Sequence, residues 1–270
     1  MIAVTGSTGA LGGLVARALA DDLRTDLRLV VRDPARAPDY DTDVRVCTYA
    51  DLDASTTALA GVDTLFMVSA AESADRRAQH RTFVRAAADA GVRHVVYTSF
   101  AGASPDATFT LGRDHADAEA AIRESGMAFT FLRDNFYLDV LPSFADERGV
   151  IRGPAGDGRV AAVARADVAE AAVAVLRAPA AHAGATYTLT GPEALTMSEA
   201  AERLGLEFED ETEEAAYAWR RERYGAAQWQ LDAWVSTYTA IRDGSVAEVT
   251  DHVERLTGHP PRSLEDALTP

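Results

Sequence analysis

Over the first two thirds of the chain, apolar positions gather into short dense runs. The runs are Ile2-Ala3-Val4-Thr5, Leu27-Arg28-Leu29-Val30-Val31, 44–48, 64–68, 93–98 and 129–132, and each reads as a strand buried on both faces. Between them the apolar period lengthens to that of a helix. Leu11, Leu14, Val15, Ala18 and Leu19 fall on one face after the first run, and Phe83, Val84 and Ala87 do so within the stretch 79–90. Strand and helix patterns in alternation predict βαβ units and a doubly wound parallel sheet. From about Asp134 the pattern loosens. The Gly/Pro-rich stretch 149–158 reads as a loop. A helix follows from Asp167, where Asp167 and Glu170 resemble a capping box. Tyr187-Thr188-Leu189 reads as a further strand, and Thr196 and Glu199 cap a short helix that Gly205 ends. Residues 207–214 are strongly acidic and predict a solvated face. Most of the aromatic residues Tyr217, Trp219, Tyr224, Trp229, Trp234 and Tyr238 are expected in the core of a small lobe, with one or two lining a substrate pocket.

The chemistry begins where the first strand meets the first helix, at Gly6-Ser7-Thr8-Gly9-Ala10-Leu11-Gly12. A dinucleotide site needs this order of strand, glycine turn and helix. Gly6 permits the tight turn, Gly9 lets backbone approach a pyrophosphate, and Gly12 lets the helix pack close to the strand. The helix N-terminus then offers free N–H groups to phosphate. The second strand ends Val31-Arg32-Asp33-Pro34, at the position that reads the adenosine ribose. Arg32, with Arg36 nearby, suits a 2′-phosphate, so NADPH is expected in preference to NADH. After the third strand, Asp51-Leu52 adjoins the adenine position. Asp51 either accepts from the adenine amino group or caps the next helix.

Composition narrows the field. A net charge of −16 argues against nucleic acid as a partner. No run of eighteen apolar residues is present, and the first strand begins at Ile2, so neither a membrane span nor a signal peptide is expected. The single Cys47 fits a reducing cytoplasm and reads as a small core residue. Every basic residue other than His is Arg. With no Lys, the chain has no ammonium for a Schiff base or for proton transfer.

Several stretches together resemble the atypical short-chain dehydrogenase/reductases of the NmrA-like group, of the NAD(P)H:quinone oxidoreductase and triphenylmethane reductase type. They are 4–12, 31–34, Tyr97-Thr98-Ser99, Leu132-Arg133-Asp134-Asn135-Phe136-Tyr137, 164–169, 187–192 and 256–261. The resemblance implies a Rossmann domain over 1–150, completed by about 160–190, and a smaller, mostly helical α/β substrate lobe over 191–270. It implies that Val68, Ser69 and Ala70, Thr98 and Ser99, and Asn135 and Phe136 run beside the cofactor. Many members of the wider superfamily use a Tyr-x-x-x-Lys pair, which this chain cannot form. His115 is then the leading candidate proton donor and Tyr137 the second, with a merely structural His115 as the alternative. The expected activity is NADPH-dependent hydride transfer to a quinone, enone or related conjugated small molecule. The alternatives are a non-catalytic NAD(P)-sensing regulator and a tailoring ketoreductase or dehydratase. No metal is expected, and a homodimer is left open.

Overall fold

The computed structural model describes residues 1–22 and 25–269. Strands β1 (Ile2–Thr5), β2 (Leu27–Val31), β3 (Asp43–Val46), β4 (Thr64–Met67), β5 (His94–Phe100) and β6 (Ala128–Asp134) alternate with helices α1 (Ala10–Ala20), α2 (Leu52–Leu59), α3 (Arg76–Asp89) and α4 (Thr110–Glu124). There follow β7 (Val150–Gly153), β8 (Arg159–Val160), α5 (Arg165–Arg177), β9 (Thr186–Leu189), β10 (Leu195–Thr196), α6 (Met197–Arg203), β11 (Glu207–Asp210), α7 (Glu213–Tyr224), α8 (Gln228–Arg242), α9 (His252–Thr257) and α10 (Leu264–Ala267). The main sheet has the order β3-β2-β1-β4-β5-β6-β9. Its β3-β2-β1-β4-β5 pairings are parallel, with Ile2 opposite both Leu27 and Thr64. This is a Rossmann-like α/β fold, with the order reversing beside β1, where such sheets bind ligands.

The chain divides into two compact units. One comprises Met1–Ser99, Asp114–Arg133 and Ala166–Tyr187. Its core packs Leu65, Met67, Phe83, Tyr97, Ile122 and Phe131. The other comprises Phe100–Arg113, Asp134–Arg165 and Thr188–Pro270. Its core packs Leu138, Ile151, Leu195, Met197, Tyr238 and Ile241.

Several local expectations are corrected. Helix α1 buries Leu11, Gly12, Val15, Ala16 and Leu19, whereas Leu14 is exposed. The buried stripe is turned toward the small residues, because only they let the helix lie close on β1. Helix α3 begins at Arg76, ahead of the predicted start, and buries Arg76 and His80 with its apolar residues. Helix α5 begins at Arg165, so Asp167 lies within the first turn and is fully buried. The 149–158 stretch is not wholly loop. It contains β7, whose Gly153 would set a Cβ 2.2 Å from the Tyr238 ring. The acidic stretch from 207 contains β11, a strand paired in parallel with β7. Its exposed carboxylates face water while its backbone completes a ladder. Thr196 and Glu199 form the expected capping box of α6. Of the six late aromatic residues only Tyr238 is buried.

Candidate functional site

The turn after β1 is built for close approach. Gly6 sits at φ +65°, and its carbonyl accepts from the Gly9 N–H at 2.9 Å. A Cβ at Gly12 would meet the Gly6 oxygen at 2.3 Å and the Thr5 oxygen at 2.8 Å. The α1 N-cap is Gly9, no side chain caps it, and the first turn has no acidic residue. Its N–H groups and positive dipole end are thus left to an external anion. The turn walls a cavity of about 600 Å³ with Gly6, Thr8, Gly9, Ala10, Leu11 and Gly12, while Arg32 stands at one side and Val68, Ser69 and Ala70 at another. The Ser7 hydroxyl is buried by the turn without a hydrogen-bond partner among the described residues. A glycine-rich turn, uncapped amides and a guanidinium on one cavity fit a phosphorylated dinucleotide.

Arg32 is exposed, and no ion pair among the described residues engages it. The neighbouring Asp33 is engaged locally. Its carboxylate accepts from the Ala35 N–H at 3.0 Å and caps the short turn that Pro34 opens. Asp51 takes the capping alternative, accepting from the Ala54 N–H at 3.0 Å, and neither it nor Leu52 lines the cavity. Ala50, Tyr49, Thr48 and Cys47 line it instead. Burial raises the Cys47 thiol pKa, so the thiol stays protonated.

Beyond β4 the chain leaves the sheet, and side chains take over its backbone hydrogen bonds. The Val68 N–H donates to Thr5 Oγ1 (2.9 Å), and the Val68 carbonyl accepts from the Tyr49 hydroxyl (2.6 Å). The Ser69 N–H donates to Thr98 Oγ1 (2.9 Å). The Ala70 N–H donates to His80 Nε2 (2.8 Å), and the Ala70 carbonyl accepts from Arg76 Nε (2.9 Å). Five side chains therefore fix one cavity wall. Thr5, Tyr49, Arg76 and His80 were missed in the sequence. The one available signal was Arg76 and His80 a helical turn apart, a spacing that exposed helix faces also produce.

His115 lies behind this wall rather than on it. It is buried, with Nε2 3.1 Å from Arg76 Nη2 and Nδ1 3.1 Å from the Tyr97 hydroxyl. A guanidinium only donates, so Nε2 accepts and the ring proton sits on Nδ1. Burial, and then the Arg76 charge, hold His115 well below the usual His range. The same causes push His80 down to about 3. Both rings are neutral at neutral pH, and the expected placement of His115 as a proton donor beside substrate is not what the geometry gives. Thr98 serves the wall from behind, and Ser99 donates to buried Glu119 at 2.6 Å; neither lines the cavity.

Asn135, Phe136 and Tyr137 belong to the second unit and do not line this cavity. Asn135 Nδ2 donates to the Val246 carbonyl at 2.9 Å, and its Oδ1 accepts from the Phe136 N–H at 2.8 Å. The Phe136 ring packs 4.9 Å from that of Phe100 and 5.2 Å from that of Phe109. The Tyr137 hydroxyl donates to Asp134. Burial, then the Asp134 charge, raise the Tyr137 pKa well above its ordinary value, so the phenol keeps its proton. Among the described residues no group of His, Cys, Asp and Glu is arranged to hold a metal ion, and no helix is long and apolar enough to cross a membrane.

Comparison with known proteins agrees with this geometry. The profile of an NAD(P)H-binding family matches residues 6–179. Quinone oxidoreductase 2 of Escherichia coli (strain K12) is 32% identical over 100% of this chain and 98% of its own. Its NADPH complex superimposes with a TM-score of 0.88 over 99% of this chain and 98% of the other. A (4-alkanoyl-5-oxo-2,5-dihydrofuran-3-yl)methyl phosphate reductase of Streptomyces griseus is 36% identical, covering 98% of this chain and 96% of the relative. The triphenylmethane reductase of Citrobacter sp., complexed with NADP(H), is 30% identical with a TM-score of 0.86, covering 99% of both chains.

Proposed function

The chain belongs to the NAD(P)H-binding family, in its NmrA-like group of oxidoreductases, and from that premise we propose that it is an NADPH-dependent reductase of a quinone, enone or related conjugated small molecule. The observation that carries the cofactor choice is Arg32, at the cavity and without an ion pair among the described residues, while Asp33 is engaged in its own cap. An NAD-preferring site presents a carboxylate to the ribose hydroxyls; a guanidinium there pairs a 2′-phosphate.

Gly6 and Gly9 admit the pyrophosphate, Gly12 lets α1 lie close on β1, and the α1 N-terminus takes the phosphate charge. The Val68–Ala70 wall fixes one side of the nucleotide by shape, since its peptide groups are held from behind. When bound, the dihydronicotinamide supplies the hydride.

The acceptor class follows from what the chain lacks. There is no Lys to lower a tyrosine pKa, His115 is neutral and enclosed, and the Tyr137 proton is committed to Asp134. An acceptor whose reduced anion is already stable needs no built-in acid, which favours quinones and enones over simple ketones. Two of the relatives are named for quinone and for furanone phosphate reduction, in keeping with this class. The likenesses to reductases favour turnover over sensing, and a soluble, cytoplasmic enzyme is the setting we propose.

The test is NADPH oxidation followed by absorbance with a panel of quinones, enones, dyes and aliphatic ketones. Quinones and enones should react fastest. Confirmed NADPH binding without oxidation by any of them replaces this reading with that of a sensor.

A further inference from the structure

The second unit holds a cavity of its own, of about 450 Å³, in the size range of small-molecule sites. Its wall carries Phe144, Trp219, Tyr224, Trp234 and Tyr238. Tyr224 joins the two indoles edge to face, 5.7 Å from Trp219 and 5.4 Å from Trp234. Yet Tyr224 is 55% exposed and Trp219 and Trp234 are only partly buried, so part of this aromatic wall stays in water. Helices α7 and α8 leave that surface uncovered although Tyr238, on the same wall, is buried.

The charged groups on the wall specify what can cover it. Arg220 pairs with Glu211 at 2.9 Å and sets its guanidinium 5.6 Å from the Trp219 ring and 5.2 Å from the Tyr238 ring. The cation positions over those two rings are therefore already taken. Arg152 pairs with Glu209 at 2.6 Å and lies 3.8 Å from Asp146. Asp146 also accepts the N–H groups of Arg148 and Val150. Each fixed charge thus has a counter-charge or hydrogen-bond donors. A ligand anion would meet Asp146 on this wall and would have to displace Glu209 and Glu211 from Arg152 and Arg220, and a ligand cation would meet those two guanidinium groups. Arg152 Nε is buried without a hydrogen-bond partner among the described residues and can donate to a neutral acceptor oxygen, while the aromatic faces favour offset stacking and edge contacts with flat rings.

We propose that this cavity is a binding site for a flat, uncharged aromatic compound of two to three fused rings. The inference goes beyond hydride transfer and does not depend on it, since the cavity lies wholly in the second unit and shares no wall residue with the nucleotide cavity.

Trp219 and Trp234 make the test direct. The purified full chain, without nucleotide, is titrated with neutral 9-fluorenone, anionic 9-fluorenone-2-carboxylate and the non-planar 1-adamantanol, reading tryptophan quenching for the first two and displacement for the third. 9-Fluorenone should bind saturably and at least about tenfold tighter than either other probe. Trp234→Leu and, on the rim, Tyr224→Ala should each weaken it about tenfold while leaving NADPH affinity unchanged. That unchanged affinity reports folding and keeps failure here separate from failure of the reductase reading. Hydrogen exchange on the wild type needs no variant, and 9-fluorenone should protect 143–152 and 219–238. The proposal is overturned by non-saturable quenching, by equal or tighter binding of the carboxylate or adamantanol, by full affinity in both variants, or by protection confined to 5–12 and 68–73.

Discussion

His80 accepts the Ala70 N–H at 2.8 Å while Arg76 donates to the carbonyl of the same residue, so one residue of the nucleotide wall is gripped at both its amide and its carbonyl. Neither side chain lines the cavity, and both are buried. Removing the imidazole leaves the Ala70 N–H without its acceptor, at a cost of about 1–3 kcal/mol. His80→Ala should therefore weaken NADPH binding about tenfold. His80→Gln, which supplies an acceptor oxygen, should recover part of that loss. The measurement is a nucleotide titration of the three proteins at pH 7.5; identical affinities would show that the wall holds its shape without His80.

The same imidazole makes stability depend on pH. Its folded pKa is pushed down to about 3, below its ordinary value of 6.5, by burial and by Arg76. Between those two values the unfolded chain binds a proton that the folded chain refuses, so stability falls as pH falls. Above pH 6.5 this site contributes no slope. His94 and His115 are also lowered, chiefly by burial, and act in the same direction. For His80 alone the slope approaches about 1.4 kcal/mol per pH unit. Urea unfolding from pH 6.5 to 5 should show stability dropping, with the drop reduced by about one proton in His80→Gln. An identical pH dependence in the wild type and His80→Gln would mean that His80 titrates normally in the folded state.

Much of the first unit was legible from the sequence because parallel strands buried on both faces are written as apolar runs, and because the turn at Gly6 tolerates few residue types. Arg32 stands on the cavity wall, where its offset from the end of β2 puts it. The wall-fixing residues were not legible. Arg76 and His80 look like a polar helix face, and only the departure of residues 68–70 from the sheet turns that face inward. Asp51 caps α2 and His115 packs against Arg76 and Tyr97, local uses of titratable residues that spacing along the chain does not show. Strand β11 was hidden because three of its four residues are carboxylates, and only its ladder with β7 shows it as a strand.

The three glycines of the turn differ in what they tolerate. A Cβ on Gly9 would stand 3.3 Å from the Gly6 oxygen, tight but open to adjustment, whereas on Gly12 it would stand 2.3 Å from the same atom. Gly12→Ala must push α1 off β1, and should cost several kcal/mol of stability, on the order of an overpacked core. Gly9→Ala should fold with stability near that of the wild type and lose nucleotide affinity, because the added methyl stands where backbone meets phosphate. Thermal melts beside nucleotide titrations separate the two, and equal destabilisation by both substitutions would contradict the geometry.

Arg32 offers a test of cofactor choice that leaves the fold alone, since the side chain is exposed and unpaired among the described residues. Arg32→Glu replaces an attraction for the 2′-phosphate with a repulsion, and should lower the NADPH-to-NADH affinity ratio by roughly tenfold to a hundredfold. Raising salt should narrow the wild-type preference as well, because the pair sits in water. Parallel losses for the two nucleotides in the variant would remove Arg32 from the 2′-phosphate and leave Arg36 as the next residue to try.

His115 separates proton donation from support. A general acid contributes about 10²–10⁴-fold, and its removal is felt most by acceptors whose reduced anions are unstable. A ring that stands behind Arg76, neutral and with its proton on Nδ1, affects every acceptor alike, through the Ala70 carbonyl that Arg76 holds. His115→Gln should therefore lower kcat/KM for a quinone, an enone and a ketone by one common factor of about ten or less. The loss should appear chiefly in the KM for NADPH, because the wall meets the nucleotide. The pH profile between 5.5 and 8 should keep its wild-type shape, since burial has moved the titration of His115 well below the usual range. A loss tenfold greater for the ketone than for the quinone, together with disappearance of a pH-rate limb, would instead return His115 to the proton-donor role.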